Sequence, residues 1–322
     1  MPIVFEAMSA AEPSTALQGK ICMITGATSG IGAVTARELA RLGATVVIVG
    51  RRAARCAREV QRIERAGGRA EALVADLSSQ AQVRRLAELF ARRHRRLDVL
   101  VNNAGSLFMR RQMTADGLEM TFALNHLSTF MLTLLLVEQL RASPSARVVN
   151  VSSVAHEGRE IDFENLQGEQ HYERVEAYGR SKLANLLFTF ELARRLDGTQ
   201  GTANALHPGI VATNLGADKG WLRARVRNLL KREMLTPEQG ARTSIYLAGS
   251  PEVEGVNGRY FHECREVRSS EASRDEAAAA RLWQISEDLT GLRWNAARGQ
   301  PSVRARNGRG LIRAQLPSSP GR

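Results

Sequence analysis

Two side chains that could exchange a proton, Tyr178 and Lys182, lie four residues apart in the segment 176–191. Apolar residues recur along this segment at helical spacing, so we predict a helix there. Residues four apart lie on one face of a helix, about one turn from each other. An ammonium group in that position favours the phenolate and is expected to lower the tyrosine pKa from its usual value of about 10. Such a pair could act as a general acid or base on an alcohol or carbonyl oxygen.

The same spacing occurs by chance in many helices, so the pair does not identify a site by itself. The alternative is a tyrosine and a lysine that merely share a helix face. The choice between the two depends on whether other parts of the chain bring a cofactor and a substrate to this helix.

A glycine-rich turn lies between a predicted strand and a predicted helix near the start of the chain. Residues 20–25 form an apolar run, residues 25–32 have the sequence Thr-Gly-Ala-Thr-Ser-Gly-Ile-Gly, and apolar residues then recur at helical spacing. Glycines let a phosphate approach the backbone, and a helix N-terminus favours an anion. The spacing Gly-x-x-x-Gly-x-Gly departs from the more familiar Gly-x-Gly-x-x-Gly. Its position between strand and helix nevertheless predicts a nucleotide site.

The second predicted strand, residues 45–50, ends in Arg51 and Arg52. An acidic residue at this point would bind the ribose hydroxyls of NAD, whereas a basic residue suits the 2′-phosphate of NADP. The alternative is that the two arginines begin a solvated, arginine-rich helix, since Arg55 and Arg58 follow them. Because the acidic residue is missing, we expect NADP(H) as the cofactor and NAD(H) as the less favoured one.

Four further apolar runs, at residues 70–75, 97–101, 146–151 and 203–207, predict strands that alternate with helices. Such spacing implies right-handed crossovers between parallel strands. We therefore expect an α/β fold, a single-domain Rossmann-type doubly wound parallel sheet of about seven strands with helices on both faces. Ligands of such sheets bind at the carboxyl ends of the strands.

Polar residues follow several of these strands. Asp76 follows the third strand, residues 102–105 (Asn-Asn-Ala-Gly) follow the fourth, and Ser152 and Ser153 follow the fifth. A serine hydroxyl there could donate to a carbonyl oxygen or accept from an alcohol. A long apolar helix predicted over residues 117–141 carries Asn125, which by residue type alone would be a hydrogen-bonded core residue.

Positive charge is concentrated at the C-terminus. The 322-residue chain has a net charge of +12, and its last thirty residues contain seven arginines and no acidic residue. We expect a disordered basic tail over residues 295–322 and a flexible extension over residues 1–18, flanking one domain at 19–294. No nucleic-acid-reading motif accompanies the tail, so we expect no specific nucleic-acid binding. Non-specific, salt-sensitive adhesion is the alternative.

The remaining composition favours a cytoplasmic protein without a metal. No apolar run approaches the roughly 20 residues of a transmembrane helix, and the N-terminus lacks the pattern of a secretory signal. The three cysteines, Cys22, Cys56 and Cys264, have no metal-ligand spacing, so we expect reduced thiols.

Residues 221–235 have the pattern of an amphipathic helix, with leucines and a methionine at helical spacing and basic residues between them. Because this segment follows the sixth strand, we expect a substrate lid over residues 214–235 that closes over the strand ends. Two alternatives stay open: peripheral contact with an anionic membrane surface, and an ordinary solvated surface helix.

Taken together, these motifs resemble the short-chain dehydrogenase/reductase family, and more closely its retinol dehydrogenase branch. The resemblance covers roughly residues 19–294. In chain order the motifs are Thr-Gly-x-x-x-Gly-Ile-Gly at 25–32, Asn-Asn-Ala-Gly at 102–105, Asn-His-Leu at 125–127, Val-Asn-Val-Ser-Ser at 149–153, Tyr-x-x-x-Lys at 178–182 and His-Pro-Gly-x-Val at 207–211. The closer assignment rests on residues 161–166, 181–185, 258–261 and 280–283, and on the long segment between residues 153 and 178.

The resemblance implies an oxidoreductase with a catalytic tetrad. Tyr178 would be the acid/base, and Ser153 would orient the substrate oxygen. Lys182 would lower the tyrosine pKa and hold the nicotinamide ribose, and Asn125 would position a water that connects Lys182 to solvent. Hydride would pass between NADP(H) and a lipophilic alcohol, aldehyde or ketone, such as a retinoid-like or fatty one.

The resemblance also implies the cofactor contacts and the assembly. The expected contacts are Gly26, Thr28, Ser29, Gly30, Ile31, Gly32, Arg51, Arg52, Asp76, Leu77, Asn103, Ala104, Gly105, Tyr178, Lys182, Pro208, Gly209, Val211 and Thr213. A homo-oligomer is expected. The sequence departs most from the family over residues 214–235, so substrate identity is the least transferable inference. Vertebrate members of the branch carry an N-terminal membrane anchor that this sequence lacks, so we carry over neither a membrane location nor a retinoid as the natural substrate. Two other functions stay open: a cofactor-binding regulatory protein of the same fold, and an interaction protein that acts through the basic tail.

Overall fold

Eight strands form one sheet in the computed structural model, which describes residues 16–211, 234–295 and 300–303. They are β1 Ile21–Thr25, β2 Thr45–Gly50, β3 Arg69–Val74, β4 Val99–Asn102, β5 Arg147–Val151, β6 Thr202–Leu206, β7 Tyr260–His262 and β8 Arg265–Glu266. Their order across the sheet is β3-β2-β1-β4-β5-β6-β7-β8. Neighbours from β3 to β7 are parallel, and β8 pairs antiparallel with β7. The doubly wound parallel sheet predicted from the sequence is confirmed, and its winding reverses between β1 and β4, where such sheets bind ligands.

Helices connect the strands. They are α1 Gly30–Arg41, α2 Ala53–Arg65, α3 Gln80–Arg93, α4 Met120–Phe122, α5 Ser128–Leu135, α6 Val137–Arg141, α7 Arg174–Arg195, α8 Pro237–Gly249 and α9 Glu276–Thr290. A π-helical turn over Ala123–Leu127 joins α4 to α5, so the helix predicted over 117–141 is divided into segments. Within the described ranges, no helix has the length and apolar character needed to cross a membrane.

Alternate residues of the central strands enter two separate apolar layers. In β2, Val47 and Val49 lie in one layer, and Val46 and Ile48 lie in the other. Helices α3, α5, α7 and α9 cover the first layer with Val83, Phe130, Phe188 and Trp283, and helices α1, α2 and α8 cover the second with Leu39, Ile63 and Leu247. Burial on both faces explains why these strands are continuously apolar rather than alternating.

A polar ladder of four side chains crosses the first apolar layer. The Asn102 amide donates to Thr133 Oγ1 on α5 at 3.1 Å and to Asn150 Oδ1 on β5 at 2.9 Å. The Asn150 amide donates in turn to Thr189 Oγ1 on α7 at 2.9 Å. All four residues are buried. Because buried amides and hydroxyls must be paired, the ladder fixes α5 and α7 relative to β4 and β5.

The chain continues past α9 into a second, two-stranded sheet. Strands β9 (Leu292–Asn295) and β10 (Gln300–Val303) pair antiparallel. Trp294 meets Trp283 of α9 edge-on with ring centroids 5.9 Å apart, and the Arg141 guanidinium lies 5.8 Å from the Trp294 centroid. The domain boundary predicted at residue 294 falls within this hairpin. Residues 304–322 of the predicted tail lie outside the described residues.

We expect Asn150→Ala to lower the free energy of unfolding by about 2–3 kcal/mol, because the Asn102 amide loses one of its two acceptors and the Thr189 hydroxyl loses its donor. Urea denaturation measures this loss. The double variant Asn150→Ala/Thr189→Val should lose less than the sum of the two single variants, because they interrupt the same contact. Strict additivity would show that the ladder does not act as a unit.

Candidate active site

The glycine-rich turn after β1 lies against the loop that follows β4. Gly26 and Gly30 have φ values of +67° and +56°, which favour glycine. A Cβ atom on Gly32 would lie 2.4 Å from Asn103 Nδ2, so only glycine fits there. Thr25 holds the two loops together, because its Oγ1 accepts from the amides of Asn103 and Ala104 at 2.9 Å. The N-terminus of α1 thus opens onto the carboxyl ends of β1 and β4, an arrangement suited to a phosphate.

Three arginines stand at the end of β2. Arg51, Arg52 and Arg55 are exposed and line the same cleft as the glycine turn. None of the three forms an ion pair with a carboxylate in the part of the chain that the structure describes. Their charge is available to an anionic group next to the glycine turn. The sequence predicted Arg51 and Arg52, and Arg55 follows them on the first turn of α2.

Helix α7 brings Tyr178 and Lys182 to the end of β5. The helix begins where the Glu173 carboxylate accepts from the amides of Val175 and Glu176, both at 2.8 Å. A Cβ atom on Gly179 would lie 2.5 Å from the Ala155 carbonyl oxygen, so glycine lets α7 approach the turn after Ser153. The Ser153 side chain is a hydrogen-bonding partner of Tyr178. The predicted shared face of the helix therefore meets the predicted serine.

The electrostatics of the pair differ from the sequence expectation. Burial raises the pKa of Tyr178 above its ordinary value, and the hydrogen bond with Ser153 offsets part of that rise. Burial also lowers the pKa of Lys182 to about 8. Lys182 Nζ donates to the Val151 carbonyl at 3.0 Å and lies 5.6 Å from the centroid of the Tyr178 ring. We expected the ammonium to lower the pKa of Tyr178, but burial of the phenol raises it, and the group that offsets part of the rise is Ser153.

Asn125 lies in the π-helical turn and is fully buried. Its amide nitrogen donates to the Ser106 carbonyl and to Ser181 Oγ, both at 2.9 Å, and its oxygen accepts from the Ser106 amide at 2.8 Å. A Cβ atom on Gly105 would lie 3.2 Å from both Asn125 Oδ1 and Lys182 Nζ. The asparagine side chain therefore holds the loop after β4 against α7, next to the lysine.

One cleft with a volume of about 520 Å³ joins these groups. The predicted residues that line it are Gly26, Thr28, Ser29, Gly30, Ile31, Gly32, Arg51, Arg52, Leu77, Asn103, Ala104, Gly105, Ser153, Tyr178, Lys182, Pro208, Gly209 and Val211. Two predicted residues, Asp76 and Asn125, do not line it. The Asp76 carboxylate instead accepts from the amide and the hydroxyl of Ser78 at 3.0 and 2.7 Å.

The residues of the cleft that the sequence analysis did not assign to the site include Arg55, Ser106, Leu124 and Pro237. Helical spacing from Arg51 could have identified Arg55, whereas the other three carry no chemical signal. Thr213 and residues 214–233 of the predicted lid lie outside the described residues. The two ends of that segment meet, because Val211 forms a parallel bridge with Leu235 and the Leu235 amide donates to the Ile210 carbonyl at 2.8 Å.

The three cysteines are unpaired, and no group of His, Cys, Asp and Glu side chains among the described residues could hold a metal ion. The cleft instead suits a dinucleotide. It has a glycine turn and a helix N-terminus for phosphates, arginines at one end, and a proton donor and a serine at the other. A cofactor that spans these ends would place its reactive part beside Tyr178.

Known proteins share these features. The family model for short chain dehydrogenase matches residues 20–221. Human retinol dehydrogenase 14 is 46% identical over 294 residues, which cover 86% of this chain and 88% of that protein. An uncharacterised protein from Mycobacterium paratuberculosis is 36% identical, with a TM-score of 0.71 over 87% of this chain and 96% of that chain. A Pseudomonas aeruginosa RhlG/NADP active-site complex is 31% identical, with a TM-score of 0.62 over 78% and 97% of the two chains. This chain belongs to the short-chain dehydrogenase family, whose members are NAD(P)(H)-dependent oxidoreductases.

Proposed function

We propose that the chain transfers hydride between NADP(H) and the alcohol/carbonyl pair of a lipophilic substrate. One observation carries the proposal: a single cleft has three arginines and a glycine turn at one end and Ser153, Tyr178 and Lys182 at the other. The first end suits the phosphates of a dinucleotide, and the second suits proton transfer to a substrate oxygen.

The chain's own residues supply position and a proton. NADPH, when bound, supplies the hydride. Ser153 holds the substrate oxygen by a hydrogen bond, and the Tyr178 hydroxyl donates its proton to that oxygen during reduction. Because burial raises the pKa of Tyr178, the phenol is protonated at neutral pH and ready to donate. A positive charge on Lys182 stabilises the phenolate that remains after the transfer.

The arginines at the end of β2 favour NADP(H) over NAD(H). No acidic side chain stands where one would bind the ribose hydroxyls of NAD. Arg51, Arg52 and Arg55 instead present three guanidinium groups to the cleft, and a guanidinium binds phosphate through paired hydrogen bonds. The Pseudomonas aeruginosa protein, whose active-site complex is with NADP, supports the same choice.

Apolar side chains next to the cleft favour a lipophilic substrate. Val154 follows Ser153 and is 38% exposed, Val175 lies one turn before Tyr178 and is 43% exposed, and Ile210 follows Gly209 and is 65% exposed. Exposed apolar groups beside a polar reaction centre suit a substrate with an apolar body and one oxygen. The name of human retinol dehydrogenase 14 points to a substrate of this kind.

Two alternatives are weaker. A regulatory protein of this fold would have no use for a proton-donating pair at the inner end of the cleft, and Tyr178 and Lys182 are both in place. An interaction protein would act through the basic tail over residues 295–322, of which the structure describes only 295 and 300–303. A homo-oligomeric state and a cytoplasmic location stay predictions, which size-exclusion chromatography and cell fractionation would test.

Tyr178→Phe should lower the turnover number for NADPH-dependent reduction of lipophilic aldehydes by about 10²- to 10⁴-fold, because the proton donor is lost. The Kd for NADPH should stay close to that of the wild type, since the ring remains. Steady-state kinetics with long apolar and short polar aldehydes measure turnover, and fluorescence titration measures binding. A Phe variant that keeps most of its activity would exclude Tyr178 as the acid/base, and a preference for short polar aldehydes would contradict the proposed substrate class.

Arg51→Asp should raise the Kd for NADPH about 10- to 100-fold and change the Kd for NADH less than about 3-fold, because a phosphate partner becomes a like charge. Titration of the free protein with both cofactors measures the two constants. Arg58→Asp is the matched control. Arg58 lies on α2 and is exposed like Arg51, but it does not line the cleft. Equal weakening by both substitutions would indicate only a general effect of net charge.

Lys182→Met should abolish turnover and stabilise the folded chain by about 1–3 kcal/mol at pH 7, because a buried ammonium is removed. The wild-type pKa at this site is about 8 in the folded chain and 10.5 ordinarily. Between these values the unfolded chain binds more protons, so wild-type stability rises with pH. The difference in unfolding free energy between the variant and the wild type is therefore largest below pH 8. It disappears as the pH approaches 10.5. Urea denaturation at several pH values checks this, and a constant difference would contradict it.

A further inference from the structure

His156 is fully buried three residues after Ser153, at the end of a 3₁₀ turn over Val154–His156. Its ring Nδ1 lies 2.7 Å from the Ser153 carbonyl oxygen. Its Nε2 lies 3.2 Å from the amide nitrogen of Ser270, a residue 114 positions further along the chain. Both ring nitrogens are thus engaged with backbone groups, one of which belongs to the serine of the reaction centre.

The two partners determine the protonation of the ring. A carbonyl oxygen only accepts, so Nδ1 must carry a proton and donate to Ser153. A backbone amide only donates, so Nε2 must be unprotonated and accept from Ser270. The neutral Nδ1–H tautomer satisfies both contacts, whereas a doubly protonated ring would direct an N–H group at the Ser270 N–H.

The contact fixes the backbone that presents the Ser153 hydroxyl. The Ser153 carbonyl accepts from the His156 amide at 3.2 Å as well as from the ring. Ser153 Oγ accepts from the Ala155 amide at 3.2 Å and has a hydrogen bond with Tyr178. A shift of the Ser153 carbonyl would therefore move its hydroxyl relative to the phenol.

We propose that His156 is a positioning residue for Ser153, and that its neutral ring ties the catalytic turn to the segment at Ser270 that leads into α9. This inference rests on the proposed function, because it assigns Ser153 to the substrate oxygen. The ring acts through the Ser153 backbone and does not touch the substrate. Protonation of the ring directs an N–H group at the Ser270 N–H and displaces the ring together with the Ser153 carbonyl, so turnover in the direction of reduction falls as the pH is lowered.

The groups around the ring are consistent with a neutral form at pH 7. Burial lowers the pKa of His156 below its ordinary value of 6.5, and the Ser153 carbonyl and the Glu157 carboxylate offset part of that change. The Tyr260 ring of β7 meets His156 edge-on at 5.4 Å between centroids. Burial first, then His262 and then His156, lower the pKa of the His207 imidazole at the end of β6 to about 4, so both rings are neutral at pH 7. Loss of the tie is therefore confined to pH values below 6.5.

Two pairs of variants distinguish the contact of His156 with Ser153 from its contact with Ser270. In His156→Asn the amide can replace Nδ1 as donor to Ser153 but does not reach Ser270, whereas in His156→Gln the longer side chain can accept from Ser270 but does not donate to Ser153. Ser270→Pro removes the amide hydrogen, and the Ser270 φ of −59° is compatible with proline. Ser270→Ala keeps that hydrogen and serves as its control.

We expect His156→Gln to lower kcat for reduction about 10- to 100-fold with little change in Kd for NADPH, and His156→Asn to stay within about 3-fold of wild type. In reduction Tyr178 starts protonated, so its titration affects only the alkaline side of the pH profile. The acid-side loss of kcat should be absent in His156→Asn. It should also be absent in Ser270→Pro, where no N–H opposes the protonated ring, and stay unchanged in Ser270→Ala.

Melting temperatures and NMR of protein labelled at the histidine nitrogens complete the test. We expect a proton on Nδ1 and a pKa below 6.5 in the wild type, a result that does not depend on turnover. The inference is overturned if His156→Asn and His156→Gln lose kcat equally and if these losses parallel their decreases in melting temperature. His156 would then have only a structural role. A proton on His156 Nε2 at neutral pH would also overturn the inference. Absence of wild-type turnover with a protonated Nδ1 would instead reject the proposed function and leave the ring assignment supported.

Discussion

The close approach of α7 to the turn after β5 determines the geometry of the reaction centre. Gly179 makes this approach possible, since a Cβ atom would lie 2.5 Å from the Ala155 carbonyl. On one side of that glycine Tyr178 reaches Ser153, and three residues further on Lys182 reaches the Val151 carbonyl at 3.0 Å. A wider separation of helix and turn would remove both contacts together. The alignment of the proposed catalytic groups thus depends on a steric contact that has no chemical role.

The surrounding fold compensates for polar groups placed in an apolar layer. Lys182 is buried with one carbonyl partner, and burial disfavours its charge. The buried amides of Asn102 and Asn150, by contrast, are satisfied by each other and by threonines of α5 and α7. The paired amides and hydroxyls stabilise the position of the helices. This stabilisation offsets the cost of burying the lysine with few partners. This division, with rigid polar contacts behind a destabilised reactive group, is a general property of preorganised sites.

Features that depend on residues close together in the chain could be predicted from the sequence, and features that depend on distant residues could not. Spacing of four placed Tyr178 and Lys182 on one face, and the position of the glycine turn between strand and helix identified the cleft. Arg51 and Ser153 were predicted to lie in the cleft because each follows a predicted strand. Local patterns did not reveal the direction of the Tyr178 pKa, because burial depends on the whole fold. They also did not reveal that Asp76 binds Ser78, or that His156 meets a residue 114 positions away.

The bridge between Val211 and Leu235 bears on how such a fold can diversify. The chain leaves the end of β6 and returns at almost the same point, just before α8. Everything between these anchors is therefore topologically an insertion, whose length changes closure entropy by only about 0.6 kcal/mol for each doubling. A change in the sequence or length of this insertion could therefore alter what binds beside the proposed reaction centre while the sheet stays as it is.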